Sequence, residues 1–197
     1  MNLNELQSQY ETERLLLRPF VRGDHADYAA YHSRSDVYRY LLSAPPTERE
    51  LEEKFQRVLD AKFETDGDVL RLAVIAQNGH FLIGEVMIEL VNRSAGRGEI
   101  GYIFNPEHGG QGFATEAMNE ILRIGFEILH FHRLFARLDA ANGGSVRLLE
   151  RLGLRREAHL VQAHKFNETW IDEYIYALLR AEWCVQNSVR FGAPAGG

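Results

Sequence analysis

The chain has 197 residues, of which 45% are apolar and 25% charged, and its formal net charge is −6. This length allows one domain with a substantial core, and the balance of residue types is that of an ordinary soluble protein. The negative charge argues against a nucleic-acid-binding surface, which is normally basic, and no apolar run approaches the roughly 18 residues of a membrane helix.

Two further features bear on location and partners. Residues 1–5 lack the features of a signal peptide. The single cysteine, Cys184, excludes an internal disulfide framework and fits a reducing compartment. We therefore expect a cytoplasmic protein with no nucleic-acid or membrane partner, and the sequence leaves its oligomeric state open, with a homodimer among the allowed arrangements.

The first half of the chain predicts one strand, two helices and a hairpin. The strand ends at Pro19, because proline brings no N–H to a ladder. Asp24 is the predicted N-cap of the first helix, and Thr47 with Glu50 forms a capping box for the second. The predicted ranges are a strand at 13–20, helices at 24–31 and 47–63, strands at 70–76 and 81–91, and a hairpin turn at 77–80.

The second half predicts strands and helices in alternation. A helix begins at Ala114, because apolar residues recur from there at steps of three and four, and Gly153 ends a shorter one. The predicted ranges are strands at 99–104, 133–140, 154–161 and 170–179, helices at 114–128 and 145–152, and a loop through His164, Lys165 and Asn167.

Together these elements predict a single α/β (α+β) domain over residues 11–185. Its sheet is expected to be mixed and mostly antiparallel, with about seven strands and about four flanking helices. Residues 1–10 are predicted to be a flexible lead-in, and residues 186–197 a disordered tail rich in glycine, alanine and proline.

A glycine-rich loop, residues 109–112, lies between the strand at 99–104 and the following helix. Three glycines in four residues leave backbone N–H groups uncovered at the positive end of a helix dipole, an arrangement that suits a phosphate. The loop lacks the Lys-Ser/Thr pair of the nucleoside-triphosphate P-loop and the glycine spacing of the Rossmann turn. Considered alone, such a loop is consistent with either a phosphate site or an ordinary turn.

The whole stretch from residue 99 to residue 117 resembles the acetyl-CoA motif of the GNAT superfamily of N-acetyltransferases. The pattern of that family, Gln/Arg-x-x-Gly-x-Gly/Ala, falls here on Gly109, Gly112 and Ala114. Gly109 stands where the family usually has Gln or Arg, so a side-chain contact to the cofactor is expected to be missing. The backbone cradle does not depend on that side chain.

Three other segments resemble the same family. Residues 12–19 are similar to the opening of the branch that acetylates the N-termini of ribosomal proteins. Residues 142–154 look like the second cofactor segment, Asn-x-x-Ser-x-x-x-Leu-x-x-x-Gly-Phe, with Leu154 in place of phenylalanine. Residues 170–174 resemble the closing strand of that branch. The resemblance covers about residues 12 to 180 and implies the GNAT fold.

The resemblance implies direct transfer of acetyl from acetyl-CoA to a primary amine in a ternary complex, without a metal. It also implies that the central strand splays from its neighbour and that the cofactor enters the gap. A backbone N–H there, that of Ile103, is expected to support the oxyanion, and the Thr115 hydroxyl to add a donor. The implied cofactor-binding residues are Tyr102, Ile103, Phe104, Gly109, Gly110, Gln111, Gly112, Phe113, Ala114, Thr115, Asn142 and Ser145.

Two residues are predicted to act as acid and base. Glu99 matches the catalytic glutamate of histone-acetylating relatives; its alternative role is an edge carboxylate bonded to an arginine such as Arg97, and Glu107 is a second candidate base. Many relatives have a tyrosine as the acid for the departing thiolate, but Leu149 occupies that position here; in the ribosomal-protein branch a serine has this role, and the resemblance implies Ser145 as that residue. Ser145 could instead be only a hydrogen-bonding residue in a helix capped by Asn142.

The predicted acceptor is the α-amine of a protein or peptide. A polyamine, amino acid or aminoglycoside-like compound is the alternative within the enzyme class, and a CoA-binding regulator without turnover is the alternative outside it. A base is most needed for an alkyl ammonium, whose pKa is about 10.4, against about 8 for an α-amine. Residues 22–65 are expected to build much of the acceptor pocket, and no metal site is implied by the histidines.

Overall fold

The computed structural model describes Leu6 and residues 9–190, and the described part of the chain forms one eight-stranded sheet with five α-helices. The strands are β1 Tyr10–Glu11, β2 Leu15–Arg18, β3 Val69–Ala76, β4 Phe81–Asn92, β5 Arg97–Phe104, β6 Arg133–Asp139, β7 Arg155–Phe166 and β8 Thr169–Leu179. The helices are α1 His25–His32, α2 Glu48–Leu59, α3 Phe113–Arg123, α4 Gly143–Arg151 and α5 Arg180–Arg190. The predicted mixed α/β fold is confirmed, with one strand and one helix more than expected.

The strand order across the sheet is β1-β2-β3-β4-β5-β6-β8-β7. Six of the seven neighbouring pairs are antiparallel, and the pair formed by β5 and β6 is parallel. A parallel pair needs a crossover connection, which α3 provides. The parallel junction lies within the sheet, so the connection that carries the glycine-rich loop leaves from an interior strand.

Helices cover both faces of this sheet, and each face has its own hydrophobic cluster. The larger cluster joins α3, α4 and α5 to the sheet, with buried residues that include Ile121, Leu149 and Trp183. The smaller cluster joins α1 and α2 to the opposite face through residues such as Tyr31 and Phe55. Burial on both faces explains why β3 and β4 read as nearly continuous apolar runs.

The two predicted helix caps have different outcomes. The capping box of α2 is confirmed, because the Glu50 N–H donates to the Thr47 hydroxyl while the Glu50 carboxylate accepts from the Thr47 N–H. Asp24 is the N-cap residue of α1, but the prediction that its side chain caps the helix is wrong. The Asp24 carboxylate instead accepts two hydrogen bonds from Arg18 and one from the Val21 N–H.

The two ends of the domain also differ from the prediction. Tyr10 pairs with Leu17 in β1 and is buried, so the predicted lead-in already belongs to the sheet there. The helix α5 runs to residue 190 and overlaps the predicted disordered tail. The rest of that tail, 191–197, and residues 1–5, 7 and 8 of the lead-in lie outside the described residues. Strand β7 continues to Phe166, so His164 and Lys165 lie in a strand rather than in a loop.

We expect Gly84→Ala to disrupt the pairing of β4 with β5. A Cβ at Gly84 would lie 2.5 Å from the Ile103 carbonyl oxygen and 2.9 Å from the Phe104 Cα, and neither backbone atom can move freely. Overpacking of this kind costs about 1 to 3 kcal/mol, measurable by urea unfolding. Gly23→Ala is the matched control, because nothing lies within 4 Å of its Cβ position. Equal stability of the two variants would contradict the prediction.

Candidate functional site

The strands β5 and β6 separate along their length. They pair at three positions, the last of which joins Glu99 to Phe135, although β5 continues to Phe104 and β6 to Asp139. Every residue of both strands is described, so the two strands diverge after Glu99 and Phe135. This separation leaves the backbone of the second half of β5 without a neighbour on one side, which is the predicted splay.

The register of β4 with β5 decides which amides face the gap. The Asn105 N–H donates to the Ile83 carbonyl, and the pairing continues through Glu85 with Ile103. Because hydrogen-bonded and non-bonded pairs alternate in an antiparallel ladder, the Ile103 N–H is directed towards β4. The amides of Tyr102 and Phe104, on either side of it, face the gap. The Ile103 N–H, expected to support an oxyanion, therefore points away from the gap.

The glycine-rich loop ends directly at the N-terminus of α3. Gly112 is the N-cap residue with φ +82°, and no side chain caps this helix end. The N–H groups of the first turn therefore have no partner within the helix. Gly110 also has positive φ, and the space around its Cβ position is open within 4 Å. The loop thus presents bare amides at the positive end of a helix dipole, which fits a phosphate group.

Two arginines that the sequence did not indicate as site residues lie near this loop. Arg14 donates to the Gln111 carbonyl at 2.9 Å and forms an ion pair with Glu116, so it ties the loop to α3. Arg151, on α4, donates to the Thr115 hydroxyl at 3.2 Å. Glu116 balances the charge of Arg14, so Arg151 is the one of the two that adds net positive charge near the loop, where the side chain usual at position 109 is missing. Sequence spacing gives no sign of this, because Arg14 lies almost a hundred residues away.

A cavity of about 430 Å³ passes through the gap between the strands, and we call it the cross-sheet cavity. Alternation along β5 places Glu99, Gly101 and Ile103 on the face covered by α1 and α2, and Tyr102 and Phe104 on the face covered by α3 and α4. Members of both sets line the cavity, together with Asn142 and Ser145. The predicted residues of the central strand and of the second cofactor segment are therefore brought together.

Glu99 lies at the point where the strands separate. It is 9% exposed, and its carboxylate accepts hydrogen bonds from Arg137 at 2.8 to 3.1 Å. The arginine that binds it is thus Arg137 of β6 rather than Arg97. The second candidate base, Glu107, is exposed and forms an ion pair with Arg34.

Ser145 and Asn142 adopt the local geometry expected of a capped helix. The Asn142 side-chain oxygen accepts from the Ser145 N–H at 3.1 Å. The Ser145 hydroxyl also has a partner that the sequence did not indicate, because the Tyr102 hydroxyl donates to its Oγ at 2.7 Å. Burial raises the pKa of Tyr102, and the hydrogen bond with Ser145 offsets only part of this rise.

A buried charged network lies on the face of the sheet that α1 and α2 cover, and Glu85 of β4 is its centre. Its side chain is 1% exposed, and it contacts the Arg71 guanidinium, the Tyr31 hydroxyl at 3.1 Å and the His32 Nε2 at 3.4 Å. Burial acts to raise the pKa of Glu85, but Arg71, His32 and Tyr31 together lower it below its usual value. Sequence alternation alone could not distinguish this glutamate from a solvent-facing strand residue.

A groove of about 340 Å³ adjoins the cross-sheet cavity and shares Glu99 and Arg137 with it. We call it the acidic groove. In the described chain its lining contains one guanidinium, that of Arg137, and four carboxylates: Glu99, Asp139, Asp172 and Glu173. Glu173 is mostly buried and hydrogen-bonded to His164. The groove therefore carries net negative charge beside the gap.

A cavity of about 500 Å³ beneath α2 adjoins the cross-sheet cavity, with which it shares Arg71, Glu85 and Ile103, and its charge is opposite to that of the acidic groove. Its lining includes the cationic side chains of Lys54, Arg57, Lys62 and Arg71 and the carboxylates of Asp68 and Glu85. A cation approaching the gap would thus be attracted through the acidic groove rather than from beneath α2.

Within the described ranges, no group of three or more His, Cys, Asp or Glu side chains could hold a metal ion. Across Leu6 and residues 9–190, no helix is both long and apolar enough to cross a bilayer.

Comparison with known proteins identifies what this architecture resembles. The family model of the acetyltransferase (GNAT) domain matches residues 14–155. The uncharacterized N-acetyltransferase p20 of Bacillus licheniformis is 31% identical over 173 residues, covering 87% of this chain and 96% of the relative. Among solved structures, a GNAT-family acetyltransferase from Bacillus anthracis superposes with a TM-score of 0.80 at 30% identity, covering 88% of this chain and 99% of the other.

A second solved structure includes bound ligands. It is the spermidine N-acetyltransferase from Vibrio cholerae in complex with CoA and spermine, with a TM-score of 0.75 at 25% identity, covering 88% of this chain and 99% of the other.

We expect Arg71→Met to destabilise the fold by about 3 to 5 kcal/mol at pH 7, because it leaves the Glu85 carboxylate buried without its cation. The double variant Arg71→Met/Glu85→Met should recover most of that loss, since it removes both charges. Urea unfolding of the wild type and of both variants measures these differences. A double variant as unstable as Arg71→Met would contradict the interpretation.

The same pair of proteins predicts a pH dependence. The folded-state pKa of Glu85 is lowered, so its stabilisation is present above the unfolded pKa and is lost as pH falls through the folded value. Without Arg71 the largest influence opposing burial is gone, so the pKa of Glu85 should rise. The stability difference between the wild type and Arg71→Met should therefore narrow as pH falls towards about 4. A constant difference from pH 7 to pH 4 would rule this out.

Proposed function

This chain belongs to the GNAT acetyltransferase family, and within that family we propose that it acetylates a small amine bearing more than one positive charge, such as a polyamine. It is an acyltransferase, and its co-substrate is acetyl-CoA. The observation that carries the proposed acceptor is the acidic groove, which opens beside the gap between β5 and β6.

The residues around the gap fit acetyl-CoA in three respects. The bare amides at the N-terminus of α3, with Arg14 and Arg151 nearby, suit a diphosphate. The unpaired backbone of β5 offers hydrogen bonds to the amides of a pantetheine arm. The gap leads on to Ser145 and Tyr102. We therefore place the diphosphate on the loop at residues 109–115 and the thioester beside Tyr102.

The reacting amine would enter on the opposite face of β5, where Glu99 lies. An alkyl ammonium must lose a proton before it attacks, and at neutral pH about one molecule in 10³ has done so. Glu99 is positioned to accept that proton directly or through water, and the hydrogen bonds from Arg137 hold its carboxylate in place. The Tyr102 N–H faces the gap and would stabilise the oxyanion.

Charge supports a polyamine over a neutral acceptor. The carboxylates of the acidic groove would hold the distal ammonium groups of a flexible chain while its terminal amine reaches the gap. Among the similar proteins named above, the Vibrio cholerae enzyme is a spermidine N-acetyltransferase, which favours a small amine as the acceptor, whereas p20 is uncharacterized. Neither is assigned to the ribosomal-protein branch that the sequence predicted. The protein α-amine is accordingly the competing substrate in the test.

The proposal is tested by thiol release from acetyl-CoA with a panel of amines. The panel contains spermidine, a four-carbon diamine, butylamine as a monoamine of similar size, and a short peptide with a free N-terminus. We expect kcat/KM for spermidine to exceed that for butylamine and for the peptide by about tenfold or more, equivalent to about 1.4 kcal/mol. A peptide with the highest kcat/KM would refute the proposed acceptor.

Glu173→Gln tests the acidic groove itself. Removing one partly buried carboxylate should raise KM for spermidine about three- to tenfold with little change in kcat, because the groove binds the distal amines and not the reacting one. Glu53→Gln is the control, since it makes the same charge change on an exposed ion pair of α2. Equal KM values in both variants would exclude the groove as the amine site.

A further inference from the structure

The hydroxyls of Tyr102 and Ser145 form a pair on the thioester side of the gap. They come from different elements, β5 and α4, and their oxygens are 2.7 Å apart. Both residues line the cross-sheet cavity, and Tyr102 is partly buried against the larger hydrophobic cluster. Forty-three residues separate them in sequence, so this contact exists only in the folded chain.

Helix α4 offers Ser145 as its proton donor on this face. One turn after it, Leu149 points into the same cavity and is 1% exposed, so that position is apolar. Asn142 is occupied as the cap, with its side-chain oxygen bound to the Ser145 N–H. A serine hydroxyl is by itself a poor acid, whereas a phenol has a pKa near 10. Tyr102 is the stronger acid within hydrogen-bonding distance of Ser145.

The direction of the hydrogen bond matters for proton transfer. The two oxygens are close enough for either hydroxyl to donate, and when Tyr102 donates to Ser145 Oγ the hydrogen of Ser145 is free to point elsewhere in the cavity. Burial keeps the Tyr102 phenol protonated at neutral pH, since it raises the pKa of this group. In that arrangement the pair holds two protons, and both can move from β5 towards α4.

We propose that Tyr102 supplies, through Ser145, the proton taken up by the departing CoA thiolate. When the carbon–sulfur bond breaks, its electron pair stays on sulfur, and the Ser145 hydrogen moves to that sulfur. Ser145 Oγ takes the Tyr102 proton in the same step, and water reprotonates the phenolate after the thiol leaves. The proton lost by the amine departs on the other face of β5, where Glu99 lies.

This division puts the acid and the base on opposite sides of one strand. Glu99 and Tyr102 are three residues apart in β5, so their side chains project from opposite faces while both border the gap. The inference rests on the placement of the thioester beside Tyr102 proposed above, but not on which amine is acetylated. Tyr102 acts through Ser145 and is a positioning residue in that sense.

The test compares Tyr102→Phe, Ser145→Ala and the double variant in single-turnover acetyl transfer. The amine is whichever compound in the panel reacts fastest, so the relay is judged by variant-to-wild-type ratios and the polyamine proposal by the ranking of amines. Each single variant should slow transfer by about 10- to 100-fold, at the lower end of what general acid catalysis contributes, because a thiolate whose thiol has a pKa of about 8.5 is already a fair leaving group. CoA affinity, measured by calorimetry, should stay within about twofold of the wild type.

The double variant should be no slower than the slower single variant, because residues that act as a unit are not additive. Tyr176→Phe is the matched control: this tyrosine is buried, donates to Glu150 at 3.0 Å and is absent from the lining of the cross-sheet cavity. Its transfer rate should stay within about twofold of the wild type.

Three results would overturn the proposal. One is a Tyr102→Phe rate within about twofold of the wild type. Another is a double variant whose loss equals the product of the single losses. The third is a loss of rate in Tyr176→Phe as large as that in Tyr102→Phe, which would show general loosening of the fold rather than a proton relay.

Discussion

The separation of β5 from β6 after Glu99 is the constraint on which the site depends. It occurs at the parallel junction of an otherwise antiparallel sheet, and a parallel pair requires a crossover connection. The connection used here carries the glycine-rich loop and α3. One topological feature therefore creates both parts of the proposed cofactor site, the unpaired backbone of β5 and the uncapped helix N-terminus beside it.

The same gap explains how the chemistry can be divided between two faces of the sheet. Alternation along β5 sends Glu99 towards α1 and α2 and Tyr102 towards α3 and α4, each with a partner from another element. An acidic entrance lies on the Glu99 side, whereas a hydroxyl pair lies on the Tyr102 side. An amine and a thioester can then meet within the gap without sharing an approach, as direct transfer in a ternary complex requires.

Charge on the acceptor face is balanced at each buried carboxylate. Glu85 is paired with Arg71 and Glu99 with Arg137, while the carboxylates farther along the groove outnumber the cations near them. Burying a carboxylate is costly without a cation, so the paired residues can lie deep in the sheet. Asp172 and Glu173 contact imidazoles, those of His159 and His164, and no arginine or lysine, so these carboxylates can attract a cationic substrate.

The sequence by itself determined the elements and the family. Apolar periodicity, proline and glycine signals and the capping box at Thr47 located most helices and strands, because these signals act over a few neighbouring residues. The glycine-rich loop and its flanking segments carried the family resemblance for the same local reason. The side-chain capping role predicted for Asp24 failed because Arg18, on the preceding strand, binds its carboxylate.

Only the tertiary structure decided the partners. Arg137 for Glu99, Tyr102 for Ser145, Arg71 for Glu85 and Arg151 for Thr115 are all brought together across strands or between helices. The direction of the amides along β5 also follows from its register with β4, which no local pattern encodes. Local sequence specifies backbone conformation, whereas charge pairing and proton transfer depend on distances that exist only once the sheet has formed.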